Sequence, residues 1–122
     1  CMVALGRDIA GVFTNNQSSC DIFKDAARSV GERVWQLPMN KDFDSQISSN
    51  VADIKNVGDG RLGGAITAAK LLERFVRDIP WTHVDIAGPA FADKPRPSIA
   101  GGGTGSMVRS FIEFAKRIAS KK

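Results

Sequence analysis

Short apolar stretches alternate with segments whose apolar residues recur at helical spacing, and this alternation constrains the 122-residue chain more than any other feature. Ala10 to Thr14 (A-G-V-F-T) reads as a buried strand that ends in an Asn15-Asn16 turn. Ile22, Phe23, Ala26, Ala27 and Val30 then fall at helical spacing, with Ser18 and Asp21 as the expected helix start and Gly31 as the stop. Val34 to Leu37 is a second strand candidate closed by Pro38, and the polar stretch from Asn40 to Asn50 reads as a loop with one helical turn. Val51 to Val57 alternates loosely and is a further strand candidate. A glycine-rich turn leads into an amphipathic helix carrying Leu62, Ala65, Ile66, Ala69, Leu72 and Val76 on one face, and Pro80 ends that unit. Val84 to Ala87 is another buried strand candidate, running into Gly88-Pro89. Beyond a Pro-, Gly- and Lys-rich loop, a last helix presents Val108, Phe111, Ile112, Ala115 and Ile118.

Strands that alternate with helices of three or more turns imply an α/β fold with right-handed crossovers and a mainly parallel sheet. Binding sites in such sheets collect beyond the C-terminal strand ends, so the loops after Thr14, Val57 and Ala87 are the places to look. No internal repeat and no linker divides the chain. Residues 1–122 are therefore read as a portion of one domain. The apolar opening Cys1 to Leu5, with neither cap nor initiating Met, is expected to lie in the middle of a fold.

Charge and cysteine usage exclude several function classes. Hydrophobic residues make up 43% and charged residues 25%, enough apolar material for a core and against intrinsic disorder. The net charge of +4 is concentrated at Lys116, Arg117, Lys121 and Lys122. There it complements the negative end of a helix dipole, which fits better than a nucleic-acid surface. Two cysteines, Cys1 and Cys20, do not make a disulfide framework. No apolar run approaches the roughly 18 residues of a membrane span, and no signal peptide is present, so a membrane role is not expected.

Local motifs supply no catalytic constellation. Gly58 to Gly63 (G-D-G-R-L-G) matches the dinucleotide-binding pattern G-x-G-x-x-G. However, the preceding segment holds Asp53, Lys55 and Asn56, where that fold places an apolar strand. No acid closes a strand about 20 residues on, so a tight turn with close helix packing is the better reading. Gly101 to Gly105 (G-G-G-T-G) has the glycines of an anion-binding nest but no phosphate-loop lysine, and reads as a flexible hinge capping the last helix. His83 is the only histidine, Cys20 is expected to pack as a small apolar residue, and the thirteen carboxylates lack the spacing of a two-metal centre. Asp53 and Asp85, the acids within apparent strands, are expected to be satisfied structural acids.

Seven strings taken together carry more information than any single motif. They are V-A-L-G (Val3 to Gly6), G-V-F-T-N (Gly11 to Asn15), G-E-R-V-W-Q-L-P (Gly31 to Pro38) and V-A-D-I-K-N-V-G (Val51 to Gly58). G-G-A-I-T-A-A (Gly63 to Ala69), W-T-H-V-D-I-A-G-P (Trp81 to Pro89) and G-T-G-S-M-V-R (Gly103 to Arg109) complete the set. In order and spacing they resemble the C-terminal half of the catalytic domain in the leucyl (cytosol) aminopeptidase family.

The resemblance implies part of a three-layer α/β domain with a mixed, largely parallel central sheet and flanking helices. It also implies a cytoplasmic enzyme, assembled as a hexamer, that removes N-terminal residues such as leucine from peptides. Two divalent ions, manganese or zinc, would activate the attacking water and stabilise the oxyanion. In the family, the metal ligands and the catalytic lysine and arginine precede the position matching Cys1. No catalytic or metal role is therefore carried onto this chain, and Arg33, Arg61 and Arg109 are not substitutes for the missing groups. Three positions match pocket residues: Val57 for the residue after the scissile bond, Ala87 and Ala90 for the N-terminal side chain. Small apolar residues there either line a leucine-sized pocket or pack the strand ends. The loop Phe91 to Ala100 follows no pattern of its own. The expected protein is an aminopeptidase portion inactive by itself. The alternatives are a stand-alone assembly or binding module without catalysis and, on the Gly58 to Gly63 turn alone, a nucleotide binder.

Overall fold

The computed structural model describes residues 1–58, 60 and 62–120; Asp59, Arg61, Lys121 and Lys122 lie outside the described residues. Strand β1 (Ala10–Thr14) is the centre of the sheet, because Ala10, Gly11, Val12 and Phe13 offer nothing polar to either face and all are buried. Helix α2 (Gln17–Ser29) crosses over and returns the chain to β2 (Val34–Gln36), which pairs with β1 in parallel, Ala10 opposite Val34 and Val12 opposite Gln36. On the other side of β1 lies β3 (Thr82–Asp85), in the order β2-β1-β3.

The sheet is mixed and flanked by helices, as the resemblance implied. Its β3 departs from the parallel direction that simple alternation predicts: Gly11 faces Asp85 and Thr14 faces Thr82 in an antiparallel ladder. The cause lies at the end of β1. The Asn15 side chain accepts from Trp81 N at 2.8 Å and donates to Ile79 O at 3.0 Å, while Thr14 Oγ1 donates to Trp81 O at 2.6 Å. The chain leaving helix α3 (Gly64–Val76) is thus seized beside the C-terminal end of β1 and can only run back along it.

Helix α2 begins two residues earlier than Ser18 and Asp21 suggest. Its cap is Asn16, whose side-chain oxygen accepts from Ser19 N at 2.9 Å. Asp21 instead faces outward between Gln17 and Lys24. The inner face of α2 buries Cys20, Phe23, Ala26 and Ala27. Helix α4 (Val108–Ala119) lies against it, placing Phe111 and Phe114 on Phe23 with ring centroids 5.4 and 5.7 Å apart. Ala10, Val12, Cys20, Phe23 and Met107 form the core, with Val34, Val84 and Phe114 packed around it.

A second body of packing joins α3 to a 3-10 helix at Lys41–Ile47, the helical turn expected within the polar stretch. Lys70 is buried there, 3.3 Å from Asp44 and 3.1 Å from Glu73. Between them, Val51 to Val57 is irregular rather than a strand. The Ser49 hydroxyl accepts from Val51 N and Ala52 N, which bends the backbone away from any ladder. Three short elements complete the chain: α1 (Met2–Leu5), and β4 (Phe91–Ala92) paired antiparallel with β5 (Gly102–Gly103). The patternless loop from Phe91 is therefore a hairpin. Its tip is a tight turn from Arg96 to Ile99, with Pro97 and Ser98 inside it and Ser98 at φ 67°.

Candidate functional site

Ala87 and Ala90 share one turn that follows β3. Because β3 is antiparallel to β1, with Asp85 opposite Gly11, this turn lies beside the start of β1 and not with the loop after Thr14, as a parallel sheet would have placed it. The Asp85 carboxylate accepts from Ala87 N at 3.0 Å and Ala90 N donates to Ile86 O at 3.0 Å, so the turn is closed from both ends. Asp85 is thus the satisfied structural acid that its strand position predicted. Within the turn, Gly88 has no room for a side chain: a Cβ there would stand 2.5 Å from the Gly6 carbonyl oxygen. Ala87 is exposed and Ala90 half-buried.

A second layer holds this turn from behind. Thr104 Oγ1 donates to Pro89 O at 2.6 Å and Thr104 N donates to Ala90 O at 3.0 Å. Thr104 stands just before α4, whose first residue is preceded by Met107 in the left-handed conformation (φ 68°) and has no side-chain cap of its own. Its free N–H groups turn to Glu32. Glu32 Oε1 accepts from Met107 N at 2.8 Å, and Oε2 accepts from Ser110 N at 3.0 Å and Ser110 Oγ at 2.5 Å. The Glu32 side chain is 9% exposed. The start of α4 thus holds a carboxylate of the same chain, through Met107 and Ser110 rather than through the glycine-rich stretch before them. The stretch is no free hinge either, because Gly102 and Gly103 are tied into β5.

Val57 belongs to a separate loop between the 3-10 helix and α3, and it is 69% exposed. Its neighbour Gly58 is pressed against the two helices, a Cβ there lying 2.9 Å from Gln46 Oε1 and 3.0 Å from Thr67 Cγ2. The turn that follows starts α3 without a dinucleotide fold. Ile66 N and Thr67 N donate to Gly63 O, Gly63 takes φ 64°, and the described residues from 48 to 63 form no strand. Asp59 and Arg61 of that turn lie outside the described residues.

The remaining candidates take structural places. His83 lies in β3 with the rings of Trp81 and Phe13 each 5.8 Å away. Burial pushes its pKa below the usual imidazole value, and Asp85 opposes that in part. Cys20 is fully buried and its thiol pKa is raised by desolvation. Asp53 is exposed in the irregular loop, Arg33 pairs with Asp8 at 3.8 Å, and Arg109 stands 4.0 Å from Glu32. Among the described residues no group of three or more His, Cys, Asp or Glu is placed to share a metal ion. No catalytic step through a metal is therefore assigned to these side chains. No described helix is long and apolar enough to cross a membrane.

A cavity of about 620 Å³ opens between α2 and β2, lined by Lys24, Arg28, Glu32, Arg33, Val34 and Trp35 among others. None of Val57, Ala87 and Ala90 lines it. Sequence reasoning missed Glu32 and Thr104. Both stand inside the recognised strings, but only the fold brings together residues so far apart in the chain.

The sequence pattern of the cytosol aminopeptidase family, catalytic domain, matches residues 1–112. The chain is similar to a probable cytosol aminopeptidase of Rhodopirellula baltica, 61% identical over 114 residues, covering 93% of this chain and 22% of that protein. A probable cytosol aminopeptidase of Aquifex aeolicus is 47% identical over 122 residues, covering 98% and 24%. Among solved structures, a tomato leucine aminopeptidase mutant superposes with a TM-score of 0.86 at 38% identity, covering 95% of this chain and 22% of that one. The bottromycin maturation enzyme BotP in complex with Mn superposes at 0.91 with 34% identity, covering 97% and 26%. The chain thus spans under a quarter of the length of these two curated relatives.

Proposed function

Because the chain belongs to the cytosol aminopeptidase family, we propose that it is one part of an aminopeptidase that releases N-terminal residues such as leucine from peptides. The observation that carries this reading is the match of residues 1–112 to the family's catalytic domain, together with the superposition on a leucine aminopeptidase. In this reading the catalytic groups, and the ligands of two divalent ions, manganese or zinc, belong to the rest of the enzyme. Metal use is supported by the family and by a structural neighbour solved with Mn. The complete enzyme is cytoplasmic and assembles as a hexamer.

The part played by this chain is to shape the site. The turn from Ile86 to Ala90 offers two methyl groups, Ala87 and Ala90, on a backbone fixed by Asp85, Gly88 and Thr104. Small side chains on a rigid turn leave room for a leucine-sized group without themselves moving to fill it. Val57 contributes a wall for the residue after the scissile bond, from a loop anchored through Gly58.

The test compares the purified 122-residue chain with a longer protein that contains it, using leucine amide and added Mn. The longer protein is expected to hydrolyse the amide at a rate abolished by a chelator, and the isolated chain to be inactive. Chelator-sensitive turnover by the isolated chain would overturn the division of labour. An inactive longer protein would instead favour a non-catalytic assembly module built on the same fold.

A further inference from the structure

The geometry points to Glu32 as a positioning residue for side-chain selection, acting through Thr104 on the turn that carries Ala87 and Ala90. The inference rests on the reading of that turn as a pocket wall. Glu32 touches no proposed pocket residue. Its two carboxylate oxygens accept three hydrogen bonds from Met107 and Ser110, 75 and 78 residues further along the chain. Those bonds fix where α4 starts. The same segment carries Thr104, whose hydroxyl also accepts from Ser106 N at 3.2 Å, so Thr104 is held from the α4 side and grips Pro89 O and Ala90 O on the other. The path from Glu32 to Ala90 therefore runs through short hydrogen bonds and two residues of backbone.

The chemistry of the cap makes the arrangement sensitive to one atom. A carboxylate can accept at both oxygens, and here each oxygen faces donors only. An amide in its place would aim an N–H at one set of donors and push the start of α4 away. The Glu32 side chain is also largely buried, with Arg109 4.0 Å from it. A displaced α4 start carries Thr104 with it and slackens the turn at Pro89 and Ala90. That turn is otherwise unable to relax at Gly88, which rests on the Gly6 backbone. The freedom falls on Ala90, on the pocket side of the turn.

The test uses the complete enzyme and two substrates, leucine amide and alanine amide, with kcat and KM measured for each. Glu32→Gln is expected to lower the leucine-over-alanine ratio of kcat/KM by about five- to tenfold. Most of the change should lie in KM for the leucine substrate, with the Glu32→Asp variant recovering part of it. Thr104→Val, which leaves Glu32 and α4 intact, is expected to shift the ratio the same way, and it carries the test if Glu32→Gln fails to fold. An unchanged ratio in the folded Glu32 and Thr104 variants, even with a lowered melting temperature, would make Glu32 a helix cap and nothing more. Ala90→Val separates the two levels. If it shifts the ratio while the others do not, the positioning role alone fails; if it has no effect, the pocket reading fails and the inference with it.

Discussion

Gly88 and Gly64 show how differently one added methyl group acts in this chain. At Gly88 the methyl would meet the Gly6 carbonyl oxygen at 2.5 Å and the Arg7 backbone at 3.3 Å, neither of which can swing aside. Gly88→Ala is expected to cost about 1–3 kcal/mol, read from the denaturant midpoint. Gly64 opens α3 with nothing within 4 Å of its would-be methyl and no positive φ. Gly64→Ala is expected to stabilise by about 0.4–1 kcal/mol in the same measurement, by narrowing the unfolded ensemble. His83 supplies a pH dependence. Burial among Trp81 and Phe13 lowers its pKa, so the fold favours the neutral ring. That contribution is complete above the unfolded value of about 6.5 and is lost as pH falls through the lower folded value. Stability should therefore fall as pH drops below about 6.5, and less steeply in His83→Gln. Equal slopes in the two proteins would remove His83 as the responsible group.

Among elements, helix starts were the least legible part of the sequence. The apolar spacing located α2, α3 and α4 to within a few residues, since each buries one face and the spacing records that face. Caps leave weaker traces because many polar residues qualify. Ser18 and Asp21 satisfied the local rule, yet Asn16 makes the bond, at 2.9 Å. Asn16→Ala is expected to cost about 0.5–2 kcal/mol and Ser18→Ala to stay within about 0.5 kcal/mol, compared by thermal unfolding. Strand direction was hidden for a related reason. The apolar run around Val84 reveals burial but not polarity, and the antiparallel course of β3 is decided by the Asn15 side chain on a loop. Val51 to Val57 alternated only loosely, and alternation makes a strand only where a neighbouring edge accepts it. The parallel-sheet rule did not place the turn after β3, because β3 runs antiparallel and ends beside the start of β1; Asp85 was read from its strand position. Glu32 and Thr104 act across a sequence distance that no local pattern encodes.

At the scale of the whole molecule, the surface is larger than the mass requires. A compact protein of 13.1 kDa should expose roughly 6,400 Å² by the usual size scaling, whereas this chain exposes 8132 Å². The excess is rich in large apolar side chains, among them Trp35, Leu62, Phe75 and Ile79, each more than half exposed. The isolated 122 residues are therefore expected to bind a dye specific for exposed apolar surface and to associate at high concentration. A longer protein containing them should do neither, and weak dye binding by the isolated chain would argue that these faces need no cover. The remote capping of α4 also bears on the order in which the chain acquires its structure. A 12-residue helix without a local cap is marginal by itself. The first turn of α4 thus waits for residues around Glu32, so its amide hydrogens should exchange with solvent only through openings that also release the β1–α2–β2 unit. The last helix in the chain is, in this sense, finished by an event near its beginning.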